Sequence, residues 1–144
     1  MKTWIKIVLI IVAIGLLGIA YIYFFMYNKP HLNVEKATAE YTLKAEDLYK
    51  EFKANKDAAG KKYNGKVIEI NGPVKKIEKS DTLTVAVFIF EQGLFGDQGV
   101  RCTFLPDQIA KAKNVEPGNE LKIKGFCTGF NDTDVILEKS SIVE

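Results

Sequence analysis

Hydrophobic and polar positions divide the chain into two parts with different periodicity. The first part is an apolar run from Ile7 to Tyr27 that contains no charged residue. A helix rises about 1.5 Å per residue, so a run of this length spans the roughly 30 Å hydrocarbon core of a bilayer. Trp4 precedes the run, and tyrosines crowd its far end, as expected of interfacial aromatic belts. The pattern predicts one transmembrane helix, with residues 1–28 as a membrane anchor in contact with lipid.

Charge around this helix predicts its orientation. Lys2 and Lys6 precede the run, which favours a cytoplasmic N-terminus and an extracytoplasmic domain. The alternative is a cleaved signal peptide and a secreted or periplasmic protein, because Gly18, Ile19 and Ala20 resemble a cleavage site. The apolar run continues past Ala20, and this length favours a single-pass membrane protein.

The segment after the helix predicts a tether and then an amphipathic helix. Residues 29–41 are polar and lack a clear period, so they are predicted as the tether. Thr42 can cap a helix in which Leu43, Leu48 and Phe52 form an apolar stripe opposite a charged face. A single domain is therefore predicted over residues 42–144.

From Gly65 onward the hydrophobic period changes to two, which is typical of strands. The predicted strands are Lys66–Ile77, Thr82–Phe90, Val100–Leu105, Glu120–Thr128 and Asp134–Ile142, with a short helix over Pro106–Lys113. Gly72 and Pro73 predict a bulge or sharp bend within the first strand. The predicted fold is mainly β, an OB-fold barrel of five strands preceded by an amphipathic helix and one transmembrane helix.

Composition excludes several kinds of chemistry. After the apolar run, 18 basic residues balance 18 acidic residues, so the domain lacks the basic surplus usual in nucleic-acid-binding proteins. Two cysteines without CxxC spacing and one histidine do not supply the four ligands of a zinc site. The sequence predicts no metal, no cofactor and no catalytic constellation.

Several motifs together resemble the bacterial tRNA-anticodon-like OB-fold family. They are the Lys62–Lys66 element (KYNGK), the Gly72–Val74 step, "VRCTFLP", a Pro-Gly turn before a "KIKG" strand, and Asp134–Leu137 (DVIL). The similarity covers about residues 43 to 142. It implies an OB-fold, envelope proteins that are often lipoproteins or carry an N-terminal hydrophobic segment, and nucleic-acid binding by analogy. It implies no catalytic residue.

Candidate ligand contacts follow from where OB-folds bind, on the face of their second and third strands. The outward positions predicted on these strands include Thr84, Phe88, Arg101 and Thr103.

Other aromatic residues have two interpretations each. Phe126 and Phe130 flank the last turn, where they either line a ligand mouth or pack against the N-terminal helix. Phe95 lies in a glycine-rich loop, where it either contacts a membrane or partner or folds back onto the barrel.

Cys102 and Cys127 both fall on predicted inward faces. The sequence leaves open whether they form a disulfide, which an extracytoplasmic location permits, or remain two buried thiols.

These observations favour a non-enzymatic, membrane-anchored extracytoplasmic binding or scaffold module. Its ligand, either a protein or a small molecule, and its oligomeric state are left open. The alternative is an OB domain that binds single-stranded nucleic acid, which the neutral charge disfavours.

Overall fold

The structure, a computed structural model, describes residues 2–27 and 33–143, and for Tyr27 only the backbone. The chain divides into two compact units, Met1–Leu32 and Asn33–Glu144. The last residues predicted for the anchor and the first residues predicted for the tether, 28–32, lie outside the described residues.

The first unit is one apolar helix. Helix α1 spans Thr3–Ile22 and continues into a π-helical turn over Tyr23–Tyr27. Its described side chains are exposed, and the stretch Thr3–Met26 has a mean hydropathy of 2.8. This helix is therefore long and apolar enough to cross a membrane, properties that a signal sequence shares.

The second unit contains short helices and a sheet. The strands are β1 (Tyr41–Lys44), β2 (Val67–Pro73), β3 (Lys76–Lys79), β4 (Thr84–Gly93), β5 (Gly96–Phe104), β6 (Glu120–Phe130) and β7 (Asp134–Ile142). The helices are α2 (Ala45–Ala54), α3 (Lys56–Tyr63) and α4 (Ile109–Lys113), the last preceded by a 3-10 turn over Pro106–Gln108.

The sheet is mixed and has seven strands in the order β1-β2-β6-β7-β5-β4-β3. The pairs β1–β2 and β5–β7 are parallel, and the other neighbours are antiparallel. No hydrogen-bonded pair among the described residues joins the edge strands β1 and β3, so the sheet is not a closed barrel. Strands β2 and β3 are the second and the last strand in this order, yet only Val74 and Lys75 separate them along the chain. The sheet must therefore coil to bring β3 close to β2.

The prediction of a five-stranded barrel was therefore wrong in two places. The bend at Gly72 and Pro73 divides the first predicted strand into β2 and β3, since proline cannot donate to a ladder. An additional strand, β1, occupies Tyr41–Lys44, where a tether and a helix start were predicted. It pairs with Ile68–Asn71, a long-range partner that local periodicity does not reveal.

The single predicted N-terminal helix is two helices. Asn55 separates α2 from α3, and its side chain accepts a hydrogen bond from the Ala58 amide at 3.0 Å. Asparagine is a favoured N-cap, so it starts a new helix here rather than continuing the first.

The predicted tether contributes to the domain from Asn33 onward. Val34 is buried, and the Glu40 amide donates to the Val67 carbonyl at 2.8 Å. Lys124 Nζ donates to the carbonyls of Glu35 and Ala37 at 2.7 and 2.8 Å. The segment before β1 is thus attached to the sheet.

Helix α2 covers one side of the core. Its buried Tyr49 and Phe52 pack against Phe90 of β4 and Phe130 of β6, with ring centroids 5.9 to 6.3 Å apart. Aromatic pairs at such distances add to the stabilisation from apolar burial. The helix therefore shields the ends of two strands from water.

Candidate ligand-binding site

The two predicted contacts on β4 lie in the core. Thr84 is 2% exposed and Phe88 is 0% exposed, so the prediction that they face outward was wrong. Both faces of β4 are rich in apolar residues, and its alternation alone does not distinguish inside from outside. The outer positions include Val87, whose register neighbours are Lys76 and Arg101. The aliphatic stems of such residues can cover apolar surface, which explains how an outward valine is buried.

The two predicted contacts on β5 do lie on the outer face. Arg101 and Thr103 are both half-buried. However, the Arg101 guanidinium already donates to Glu78, and Lys76 Nζ lies 3.2 Å from the same carboxylate and 4.0 Å from Asp97. Burial raises the pKa of Glu78, but Lys76 and Arg101 outweigh it and hold the pKa below its usual value. The basic groups beside Arg101 are therefore engaged with carboxylates rather than available to phosphates.

Phe126 and Phe130 lie on opposite faces of β6. Phe126 is half-buried beside Glu138, on the outer face that also carries Arg101. A register shift between Cys127 and Gly129 moves Phe130 to the inner face, against Phe52 of α2. Of the two interpretations for Phe130, packing against the helix agrees with the structure. Because Phe126 and Phe130 lie on opposite faces, their rings do not line a common ligand entrance.

The two cysteines are free and buried. Both are register partners of Leu137, one from β5 and one from β6, so two strand spacings of roughly 4.8 Å separate their backbones. A disulfide needs Cα atoms within about 7 Å. Burial raises the pKa of Cys127 to about 11 and also raises that of Cys102, so both thiols are protonated at neutral pH. A protonated thiol is a poor nucleophile.

A cleft of about 400 Å³ lies beside the bend between β2 and β3. Its wall includes Lys44, Asn71, Pro73, Lys75, Ile89 and Phe90. Its volume falls within the range of small-ligand pockets, which is roughly 300 to 1,000 Å³.

Strand geometry explains why this cleft exists. Strand β3 pairs with β4 only over Thr84–Val87, so the later part of β4 extends beyond it. On the other side, β1 is an edge strand that ends where α2 begins at Ala45. The opening lies between these elements, at the point where the sheet is not closed.

The cleft combines available cations with an apolar wall. Within residues 33–143, neither Lys44 nor Lys75 forms a salt bridge, in contrast to Lys76. Glu46, which also lines the cleft, pairs with Lys50 at 2.8 Å, and this hydrogen bond, with a smaller electrostatic contribution from Lys44, lowers the pKa of Glu46.

The apolar wall is formed by half-buried side chains of β4. Ile89 and Phe90 are both half-buried, and the Phe90 ring packs on Tyr49. Glu120 adds one carboxylate to the lining of the cleft. The arrangement suits a ligand that carries an anionic group beside an apolar or planar part.

Sequence reasoning missed this cleft. Gly72 and Pro73 indicated a bend, and Lys75 lies two residues after it, so the sequence located one side of the cleft. Lys44 lies where the start of the amphipathic helix was predicted, because the pairing of β1 with β2 is long-range. The described residues contain no group of three or more histidine, cysteine or acidic side chains that would hold a metal.

The chain matches the tRNA_anti-like family over residues 1–142. It belongs to that family. The resemblance inferred from the motifs is thereby confirmed, and the family is one of OB-type binding folds rather than enzymes.

A solved structure agrees with this fold. The chain is similar to the crystal structure of a "putative nucleic acid-binding lipoprotein" from Klebsiella pneumoniae, with 21% identity and a TM-score of 0.58. That match covers 72% of this chain and 91% of the Klebsiella chain. A weaker similarity, with 17% identity and a TM-score of 0.38, is to the Stn1-Ten1 complex of S. pombe and covers 54% of this chain and 58% of that one. No curated protein matches this chain.

Proposed function

We propose that the protein is a membrane-anchored, extracytoplasmic OB-type module that binds an anionic small molecule or peptide without chemically changing it. The observation that carries this proposal is the cleft, where Lys44 and Lys75, which form no salt bridge within residues 33–143, lie next to the apolar wall of Ile89 and Phe90. Charge-assisted hydrogen bonds from ammonium groups are about twice as strong as neutral ones. The cleft thus supplies both an attraction for an anion and a surface for an apolar group.

The outer sheet face provides a contrast. Arg101 and Lys76 on that face are paired with carboxylates, so binding a phosphate there would require breaking existing ion pairs. This difference favours the cleft over the strand face that OB-folds commonly use.

Single-stranded nucleic acid is the second candidate ligand. Bases stack on aromatic rings and phosphates bind cations, and the cleft offers Phe90 with two lysines. The family and the name of the Klebsiella lipoprotein make this candidate worth testing. The balanced charge of the domain weighs against it.

Binding measurements on the full chain in zwitterionic nanodiscs would distinguish these ligands. Fluorescence anisotropy would compare a labelled oligothymidylate with a labelled short peptide that carries glutamates and one aromatic residue. We expect the peptide to bind and the oligonucleotide to remain unbound even at about 50 mM salt. Oligonucleotide binding that weakens steeply towards about 200 mM salt would establish the second candidate instead.

A matched pair of variants would test the cleft. Lys44→Ser with Lys75→Ser removes the two cleft ammoniums, and Lys79→Ser with Lys113→Ser removes two exposed lysines outside the cleft lining. Two lost charge-assisted hydrogen bonds are worth about 3 kcal/mol together, so the first variant should bind the anionic peptide at least tenfold more weakly. Equal weakening by both variants would show only a general charge effect and would refute the cleft as the site.

Membrane topology is tested separately with a C-terminal alkaline phosphatase fusion. The apolar helix and the preceding Lys2 and Lys6 support an external domain. The expected result is phosphatase activity in intact cells and recovery of the fusion in the membrane fraction after the cells are broken. If this fusion is inactive, and a second fusion that carries a fluorescent cytoplasmic reporter at the same position is fluorescent, the domain lies in the cytoplasm and the proposed orientation is wrong.

A further inference from the structure

The β4–β5 hairpin ends in two large apolar residues that none of the described residues covers. Leu94 is 98% exposed and Phe95 is 92% exposed. Among residues 33–143, Leu83 is the other exposed large hydrophobic side chain, and it is only 51% exposed. Isolated apolar residues on a surface are ordinary, but an adjacent pair at a projecting tip indicates a contact with an apolar partner.

The turn geometry does not require these residues. Gly93 pairs with Gly96, and Gly96 adopts φ +115°, so glycine satisfies the unusual conformation. Leu94 and Phe95 then occupy the two central turn positions, where polar residues and glycine are usually preferred. Their side chains gain no stability from exposure to water, which leaves both of them available for a contact outside the fold.

The hairpin holds this tip in a defined position. Strand pairing continues to the last pair before the turn, and the Tyr49 hydroxyl donates to Gln98 Oε1 at 3.0 Å. Lys53 pairs with Glu91 beside the same hydroxyl. The hairpin is thus fastened to α2 two residue pairs before its turn, while Leu94 and Phe95 within the turn are almost fully exposed.

The carboxylates near the tip are partly balanced. Glu91 faces Lys53, and Asp97 lies 4.0 Å from Lys76. This pairing reduces the repulsion that acidic side chains would meet near lipid phosphates. Polar residues directly behind an apolar tip suit the headgroup region of a bilayer.

We infer that Leu94 and Phe95 insert into the surface of the bilayer that holds the N-terminal helix, which gives the domain a second membrane contact. This inference rests on the proposed membrane anchoring. Only residues 28–32 separate the helix from the domain, and an extended chain of that length spans at most about 18 Å. The proposed anchor therefore keeps a bilayer within reach of the domain, and a convex two-residue tip needs no matching groove to enter a fluid interface.

Tryptophan quenching in the full chain tests this contact. In a Trp4→Phe background, Phe95→Trp provides a reporter at the tip, and Leu83→Trp provides a matched reporter near the opposite end of β4. The chain is reconstituted in phosphatidylcholine nanodiscs with and without dibrominated acyl chains. The tip reporter should shift to shorter wavelength and lose most of its emission with brominated lipid, while the Leu83→Trp reporter loses little.

Two additional measurements make the outcomes distinguishable. Leu94→Trp repeats the test if the first tip variant does not fold, which its melting temperature reports. Trp4 of the unmodified chain reports on the helix: quenched Trp4 with an unquenched tip overturns the second contact but leaves the anchor intact. If Trp4 is not quenched either, the anchor itself fails. A tip blue shift that appears only with two chains per nanodisc, without bromine quenching, would identify a second copy as the partner and overturn the lipid contact.

Discussion

Phe88 and Phe95 form a natural pair for testing how β4 is oriented. They lie seven residues apart on one hairpin, yet Phe88 is fully buried and Phe95 is 92% exposed. Replacing a buried phenylalanine with alanine costs about 3 to 5 kcal/mol, because apolar contacts are lost and a cavity remains. The same change at an exposed tip should cost less than about 0.5 kcal/mol.

These free energies translate into a large difference in melting temperature. A folded unit of about 110 residues has an unfolding entropy of about 0.23 kcal/mol/K, from roughly 2.1 cal/mol/K per residue. Phe88→Ala should therefore melt about 13 to 22 °C below the unmodified protein, and Phe95→Ala within about 2 °C of it.

Differential scanning calorimetry of the full chain in mild detergent would measure both variants against the unmodified protein. A small shift for Phe88→Ala, comparable with that of Phe95→Ala, would refute the inward orientation of β4. It would restore the outward face predicted from the sequence.

Three further predictions concern charge, thiols and backbone spacing. The folded-state pKa of Glu78 is lowered, so its stabilisation is present above its ordinary pKa of 4.5 and is lost as pH falls through the folded value. Glu78→Gln should therefore melt below the unmodified protein at pH 7, and this difference should decrease as the pH falls below 4.5; identical melting at pH 7 would contradict this. Cys102 and Cys127 should resist a thiol reagent at neutral pH and both react in guanidinium, whereas the absence of any reactive thiol after unfolding would indicate a disulfide between them. Gly99→Ala should abolish cooperative melting by circular dichroism, because its Cβ would lie 1.8 Å from the Phe88 carbonyl oxygen; a near-normal melt would contradict that close approach.

Burial of the same thiols predicts alkaline instability. The Cys127 pKa is raised from 9.0 to about 11, so above about pH 9 the unfolded chain loses a proton that the folded chain retains. Stability should decrease between these values, and Cys127→Ala should show a weaker decrease in melting temperature over that range. An identical alkaline profile for the variant would assign the decrease to other groups.

Local patterns were reliable where one physical signal dominated. The uncharged run from Ile7 to Tyr27 predicted an apolar helix, and continuous helix through Ile22 with a π-turn to Tyr27 agrees with it. The predicted strands from Thr82 onward each correspond to an observed strand, because β-branched alternation bounded by glycine or asparagine turns indicates strands directly.

Side-chain orientation was less accessible from the sequence. In β4 both faces are apolar, so Thr84 and Phe88 were assigned to the wrong side. In β6 a bulge near Gly129 separates the faces of Phe126 and Phe130, although their spacing in an unbroken strand would place them on one face. The hydrophobic period of a strand does not reveal where a β-bulge adds one residue, because pairing with the neighbouring strand determines the position of the bulge.

The sequence by itself determined the apolar helix, the strand-rich domain, the bend at Gly72 and Pro73, and the absence of a basic surplus, since each depends on composition or on neighbours within a few residues. Tertiary structure decided the rest. Long-range pairing of Tyr41–Lys44 with β2 created an edge strand and opened the cleft between Lys44 and Lys75. The same folding paired Arg101 with Glu78 and left Leu94 and Phe95 uncovered at the hairpin tip. Whether a cation is paired or a hydrophobic side chain is covered depends on residues distant in sequence, and only the folded chain brings those residues together.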